Sequence, residues 1–400
     1  EFGLLITPVK EVNTVKHFSE RYFHGDPQSF DKAALEEANI ANIHHSLPLN
    51  PIINYPFQIR DSLIRYIDKQ HQANRKVKLY YTIRELSNHA VEIFALKSLQ
   101  HEIFVSGVGY GLPWHMEHLI DDYKPAWYTE LPHQTSDAAL VLNGFSRWIN
   151  YYLEGLRWMY ERYKIDGIYM DDVSFDRTVM KRIKKIAARY RPGALIDLHS
   201  NTAYSKGPMN QYTDFFPYVD GLWFGESFRY NQMSPDEWLV TFSGIPFGQM
   251  SEMLQDGGNR YLGMVYGATA RHSWTGDKSS PVPVWRLWKS FGIEDAKMIG
   301  YWSEDRIVET SHPNVKSTAY VKEDKVLIAL GNFDTSDVTV KLRINWDKLT
   351  ANPSAYTLIA PEIANFQPAT IFSSGDSIPV KAKEGWLLIL ERTNSSLQQK

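Results

Sequence analysis

Over its first three hundred residues the chain alternates short, nearly continuous apolar runs with stretches of helical periodicity. No other feature constrains its fold as much. The runs are Gly3–Val9, Ala41–His45, Val77–Arg84, Gly167–Asp172, Ala194–His199, Gly221–Glu226 and Ile245–Met250, with an eighth at either Leu262–Ala268 or Lys297–Trp302. Runs of this kind read as buried parallel strands. Between them, Asp61–Gln70, Phe145–Tyr163 and Asp176–Tyr190 repeat apolar residues every three or four positions, and the last stops at Pro192-Gly193. Strand and helix in alternation predict βαβ units, and seven or eight of them predict an α/β fold, the (β/α)8 TIM barrel, over residues 1–304. No Gly-rich phosphate loop follows the first run, which argues against a doubly wound sheet.

After residue 305 the pattern changes. Lys325–Phe333, Val338–Asn345 and Trp386–Arg392 are among several short runs, some alternating with period two, so a small C-terminal antiparallel β-sandwich is expected over 305–392, with a polar tail at 393–400. Residues 85–143 are too long for an ordinary βα loop. Following the third strand, this insertion is expected over the catalytic face.

Composition narrows the chemistry. The chain has no cysteine, which removes a disulfide framework, thiolate metal sites and a cysteine nucleophile. Net charge is −3 and no long Lys/Arg run occurs, so no nucleic-acid partner is expected. No apolar stretch approaches membrane-spanning length, so no membrane association is expected either. Aromatics make up 14% of the residues, many of them beside His, Asp, Glu and Asn in loop-like sequence. Such platforms suit the apolar faces and hydroxyl edges of sugars, although part of the aromatic content belongs to the core.

Barrel active sites lie at the C-terminal ends of the strands. The predicted strands end in His44-His45, Arg84-Glu85 with His89 beyond, Asp171-Asp172, Asp197 to Asn201 with His199 among them, Glu226, and Gln249 with Glu252, while one eighth candidate carries Tyr301-Trp302. Asp171 and Glu226 make the two-carboxylate device of glycoside hydrolysis, in which one group protonates the leaving oxygen while the other attacks or stabilises the anomeric carbon. Adjacent strand residues alternate, so one of Asp171 and Asp172 is expected to face the barrel axis and the other away; Asp171 is taken as the inward one because Asp166-Gly-x-x-x-Asp171 resembles a pattern that recurs in barrel glycosidases. Each carboxylate also has a plainer reading, as a helix cap or a solvated strand end. Asp172 and Asp197 are supporting or alternative catalytic groups. The expected sugar pocket draws on His44, His45, Tyr81, Arg84, Glu85, His89, Trp114, His115, His199, Trp223, Glu252 and Trp302. The histidines lack His-x-His spacing and no HExxH helix occurs, so neither a metal nor another cofactor is expected.

Several stretches resemble glycoside hydrolase family 123-like proteins of polysaccharide-degrading bacteria. They include Tyr81 to His89, Asp121 to Tyr128, Ser146 to Trp148, Asp166 to Asp172, Gly193 to Ser200, Leu222 to Glu226, Ser243 to Gly248 and Asp295 to Trp302. The resemblance implies a glycosidase for a galactose- or hexosamine-type residue; exo action on a poly- or oligosaccharide and a periplasmic or secreted setting are the accompanying expectations. That group usually carries a β-sandwich before the barrel. Because little precedes the first run, the chain is expected to be a piece of a longer protein whose N-terminal sandwich is a possible partner of the barrel. Family members pair Asp with Glu in sequence and use the substrate's acetamido group as nucleophile, whereas this chain has Asp171-Asp172. A more distant likeness is to retaining α-galactosidase and α-N-acetylgalactosaminidase barrels, with a nucleophilic Asp on strand four and an acid/base on strand six. The preferred expectation is therefore a retaining glycosidase. The alternatives are a substrate-assisted hexosaminidase, a metal-dependent carbohydrate deacetylase and a non-catalytic carbohydrate-binding protein.

Overall fold

In the computed structural model, residues 4, 6–25, 32–45, 47–82, 85–87, 89–103, 129–131, 135–141, 144–171, 176–201, 209–226, 228–253, 258–270, 280–349, 356–373 and 375–392 are described. The fold is a TIM barrel followed by an antiparallel, β-rich domain. By compactness the chain divides into one unit of residues 1–10 and 21–228 and another of residues 11–20 and 229–400.

The first unit holds a six-stranded parallel sheet in sequential order: β1 (Tyr22–His24), β2 (Ile40–Ile43), β3 (Lys76–Tyr80), β4 (Gly167–Met170), β5 (Leu195–Asn201) and β6 (Gly221–Glu226). Sequential parallel order is what right-handed βαβ crossovers produce. The helices between them include α2 (Arg60–Gln72), α3 (Arg147–Trp158) and α4 (Arg177–Tyr190). Each buries one stripe, Val179, Met180, Ile183 and Ala187 in α4. Ser146 and Asp176 cap α3 and α4, their side chains accepting from Trp148 N and Val179 N.

Asp166, just before β4, fastens the N-terminal end of the sheet. One oxygen accepts from His71 Nε2 at 2.7 Å and from Val77 N at 2.8 Å, and the other accepts from Arg191 at 2.5 Å. Within the insertion, Glu85–Ser87, Thr135–Ala139 and Thr129–Leu131 form a three-stranded antiparallel sheet.

The second unit carries α1 (Thr14–Ser19), α5 (Arg260–Val265) and α6 (Val282–Phe291). It also holds two short parallel strands, β7 (Glu252–Met253) and β8 (Thr269–Ala270), paired with each other. Its main sheet is antiparallel, ordered β9 (Lys297–Gly300), β10 (Val315–Val321), β11 (Lys325–Asn332), β14 (Gly385–Arg392), β12 (Tyr356–Ala360) and β13 (Thr370–Phe372). Two further pairs, Val308–Thr310 with Leu342–Ile344 and Val338–Val340 with Ile378–Val380, contribute to one apolar core with it.

Several strand expectations need correction. The described part of Gly3–Val9 is not a strand, and the sheet begins instead at Tyr22, in a run only three residues long. Ile245–Phe247 is a 3-10 turn because Gly244 and Gly248, at φ +75° and +83°, reverse the chain on either side. Leu262–Ala268 is mostly helix α5, whose first turn is capped by Asn259 accepting from Tyr261 N and Leu262 N. Lys297–Gly300 is a strand, but it pairs antiparallel with β10 and so belongs to the C-terminal sheet.

Candidate active site

Strand alternation sends every second side chain of β1–β6 to the same face. On that face the structure gathers polar groups rather than the usual aliphatic layers of a barrel. The deepest are Lys78 and Asp197, both fully buried, with Lys78 Nζ donating to Asp197 Oδ2. Trp223 Nε1 donates to the same oxygen at 2.8 Å. The Lys78 ammonium lies 5.0 Å from the Tyr22 ring centre, and Tyr22 meets Trp223 edge-on at 4.8 Å. A buried ion pair needs such extra partners to offset its desolvation.

Beyond them lie Tyr80, two residues after Lys78, His199, two residues after Asp197, and Asp171, the residue that follows β4. Tyr80 Oη donates to Asp171 Oδ2 at 2.6 Å, and His199 Nδ1 donates to Asp171 Oδ1. The carboxylate is gripped at both oxygens while its side chain keeps 20% exposure, and His199 keeps only 6%. Thr82 Oγ1 donates to the Asp171 carbonyl at 2.7 Å, fixing the backbone where β4 ends. Tyr169 stacks on His199 at 5.6 Å and 22° and meets Trp223 edge-on at 5.5 Å.

His44 and His45 complete this wall, their rings 4.8 and 4.4 Å from that of Tyr80. His24 lies 5.1 Å from both His44 and Tyr169, and its Nδ1 accepts from the Asn42 amide at 2.6 Å. That bond leaves Nδ1 unprotonated and places the neutral ring's proton on Nε2.

Of the expected residues, the structure thus brings Asp171, His199, His44, His45, Asp197 and Trp223 to one face. Tyr81 lies elsewhere. It is 1% exposed, stacks on Tyr152 at 4.4 Å, donates to the Tyr152 carbonyl at 3.1 Å and accepts the Tyr152 hydroxyl at its own carbonyl at 2.8 Å. Burial pushes both phenols well above their ordinary pKa. His89 is exposed, and its carbonyl accepts from Gln58.

Glu226 closes β6. There the β5–β6 register skips Gly225, so position 226 falls opposite Asn201. Gly225 has φ +119°, a backbone that only glycine adopts easily. Bulges of this kind re-aim strand ends next to active sites. Glu85 opens the insertion's sheet opposite Ala139. Arg84, Trp114, His115 and Asp172 lie outside the described residues, as do the side chains of Glu85 and Glu226. In the second unit, Glu252 is buried at the start of β7, and Trp302 stacks on Tyr266 at 5.7 Å and 4°.

The sequence reading did not single out Tyr80, Tyr169, Lys78 or His24. Their signal was parity: Lys78 and Tyr80, like Tyr169 and Asp171, are two residues apart on strands taken as continuous apolar runs. Among the described residues, no group of three or more His, Asp or Glu converges to hold a metal ion, and no helix is long and apolar enough to cross a membrane.

Fold and site together define a TIM barrel with a carboxylate fixed at the C-terminal end of its fourth strand. Residues 13–273 match the glycoside hydrolase 123 TIM-barrel domain, and residues 280–391 match the glycoside hydrolase 123 C-terminal domain. The chain belongs to glycoside hydrolase family 123 and is a glycosidase. No curated protein matches it in sequence.

Solved structures with a similar fold include an Anoxybacillus α-amylase (TM-score 0.61, 10% identity, 95% of this chain and 99% of that one). Another is the acarbose complex of an α-amylase from Geobacillus thermoleovorans (0.58, 10%, 96% and 100%). A third is a GH27 β-L-arabinopyranosidase from Geobacillus stearothermophilus (0.53, 9%, 96% and 100%). At these identities the likeness concerns the fold alone.

Proposed function

We propose that the protein removes a galactose- or hexosamine-type residue from the end of a poly- or oligosaccharide with retention of configuration. Asp171 carries this reading. It ends β4, keeps one-fifth exposure and has both oxygens held, so its orientation is set before substrate arrives. In the proposed reaction an Asp171 oxygen attacks the anomeric carbon as the bond to the leaving oxygen breaks, and Glu226 protonates that oxygen. Glu226 then takes a proton from water, and the resulting hydroxide displaces Asp171 from the sugar. His44, His45 and His199 supply ring nitrogens beside the carboxylate for sugar hydroxyls.

A second reading is favoured by family membership and by the same double grip on Asp171. There the substrate's acetamido oxygen attacks, and Asp171 or Asp172 orients the amide. A carboxylate whose two oxygens already accept hydrogen bonds is a weaker nucleophile but a good fixed charge.

Matched aryl galactosides and N-acetylgalactosaminides, with proton NMR of the first-formed anomer, test both readings. Turnover of the galactoside with retention, and trapping of Asp171 by a 2-deoxy-2-fluoro analogue, support direct displacement. Activity confined to the acetamido sugar, with tight inhibition by its thiazoline, supports the assisted route. No hydrolysis of either by the parent, or full activity in both Asp171→Asn and Glu226→Gln, overturns the proposal.

A further inference from the structure

The C-terminal β-rich domain has a pocket of its own. It is lined by the Leu342–Ile344 strand, β12, and Ser373, Gly375 and Asp376, and about 500 Å3 of space lies within it, its open mouth included. Leu342, Leu358 and Ile378 form an aliphatic floor continuous with the domain core. Trp346 and Tyr356 stand half-buried at the wall, ring centres 5.7 Å apart and planes inclined by 52°. The exposed lining is polar as well, with Ser373 and Asp376. Asp376 Oδ2 accepts from Ser373 N at 2.6 Å, which stiffens the turn, and its carboxylate is exposed at the mouth.

A void meant only as core is lined by apolar atoms alone. Here two aromatic side chains share one open pocket with a carboxylate and a hydroxyl. A sugar ring has the matching anatomy: a C–H face for the indole and phenol, and hydroxyls for Asp376 and Ser373. A lipid chain would bury the Asp376 charge without compensation, and an anionic ligand would meet it with like charge.

We propose that this pocket is a second carbohydrate-binding site, which takes one neutral sugar unit of a polysaccharide and tethers the enzyme to it. The choice of probe sugars rests on the proposed function; the pocket itself does not.

The test is affinity electrophoresis of the full chain in gels containing galactan or glycol chitin, both neutral polysaccharides, alongside Trp346→Ala and Asp376→Asn, with hydrolysis of small aryl glycosides measured in parallel. The parent is expected to be retarded in at least one gel. Both variants should lose at least tenfold in apparent affinity while keeping the parent's kcat/KM on aryl glycosides. Asp376→Asn removes an exposed charge rather than packing, so it separates lost binding from lost folding. A parent that runs unretarded in both gels, or an Asp376→Asn variant retarded as strongly as the parent, overturns the proposal. Lost retardation in a protein that hydrolyses no aryl glycoside would keep this site and remove the proposed reaction. Unchanged retardation with intact hydrolysis would do the reverse.

Discussion

Asp171 is defined by its two donors, and they can be removed one at a time. Tyr80→Phe deletes the 2.6 Å bond to Oδ2 and leaves the ring, while His199→Phe deletes the Oδ1 donor and leaves a ring to stack on Tyr169. A hydrogen bond to a charged group is worth about 1.5–3 kcal/mol. At about 1.4 kcal/mol per tenfold, each variant is expected to lower kcat/KM by about 10- to 100-fold. A fall in kcat marks a bond that strengthens in the transition state, whereas a rise in KM alone marks Asp171 as a binding group. Beneath this grip, Lys78 and Asp197 are both fully buried. Lys78→Met leaves an uncompensated carboxylate and is expected to cost about 3–5 kcal/mol. Adding Asp197→Asn should recover part of that loss, because the amide still accepts from Trp223. Urea unfolding of both singles and the double measures it, and strictly additive losses would show that the pair does not act as one unit.

At the level of elements, the helix layer depends on close approach. Tyr81 and Tyr152 join β3 to α3 by two reciprocal hydrogen bonds, and Gly155 is what lets them meet. A Cβ at Gly155 would lie 2.7 Å from Tyr81 Oη and 3.1 Å from Phe57 Cζ. Gly155→Ala gains about 1 kcal/mol of helix propensity but forces an overpacked contact that costs about 1–3 kcal/mol. Net destabilisation is expected, read as a lower thermal midpoint, and a Gly155→Ala/Tyr81→Phe double variant should restore part of it. An unchanged midpoint in the single variant would show that Tyr81 moves aside freely. The same elements mark what the sequence made legible. Gly155 and its apolar neighbours predicted α3, and the Val77 run predicted β3, because burial writes a strong periodic pattern. Tyr81 was taken for a sugar-facing residue, since an aromatic at a strand's end carries no mark of which side it faces until register is known. The Gly225 bulge was hidden for a related reason: one extra residue changes what Glu226 lies opposite without altering composition.

For the molecule as a whole, the alternation of runs made the barrel legible, and the change after residue 305 made the C-terminal sheet legible. Two-residue strands such as β7 and β8 are too short to carry a period, so stronger apolar runs nearby were read as strands in their place. Nor does sequence reveal pairings across hundreds of residues. Helix α1, close to the start of the chain, is part of the second unit. Its Phe18 packs edge-on against Trp288 and Tyr320, and its His17 Nε2 donates to the Gly267 carbonyl at 2.6 Å, 250 residues away. Burial outweighs that bond and lowers the His17 pKa from 6.5 to about 4. The folded chain therefore resists a proton that the unfolded chain accepts. Stability from this group is complete above pH 6.5, falls as the unfolded histidine titrates, and stops falling below about pH 4. At about 1.4 kcal/mol per pH unit the loss is at most about 3.5 kcal/mol, and less because the residue is only partly buried. His17→Gln keeps an N–H for Gly267 and cannot titrate. Its denaturant midpoint is expected to change less than the parent's between pH 7 and pH 4.5. Parallel midpoints for the two proteins across that range would show that His17 takes up a proton in the folded chain as readily as in the unfolded one.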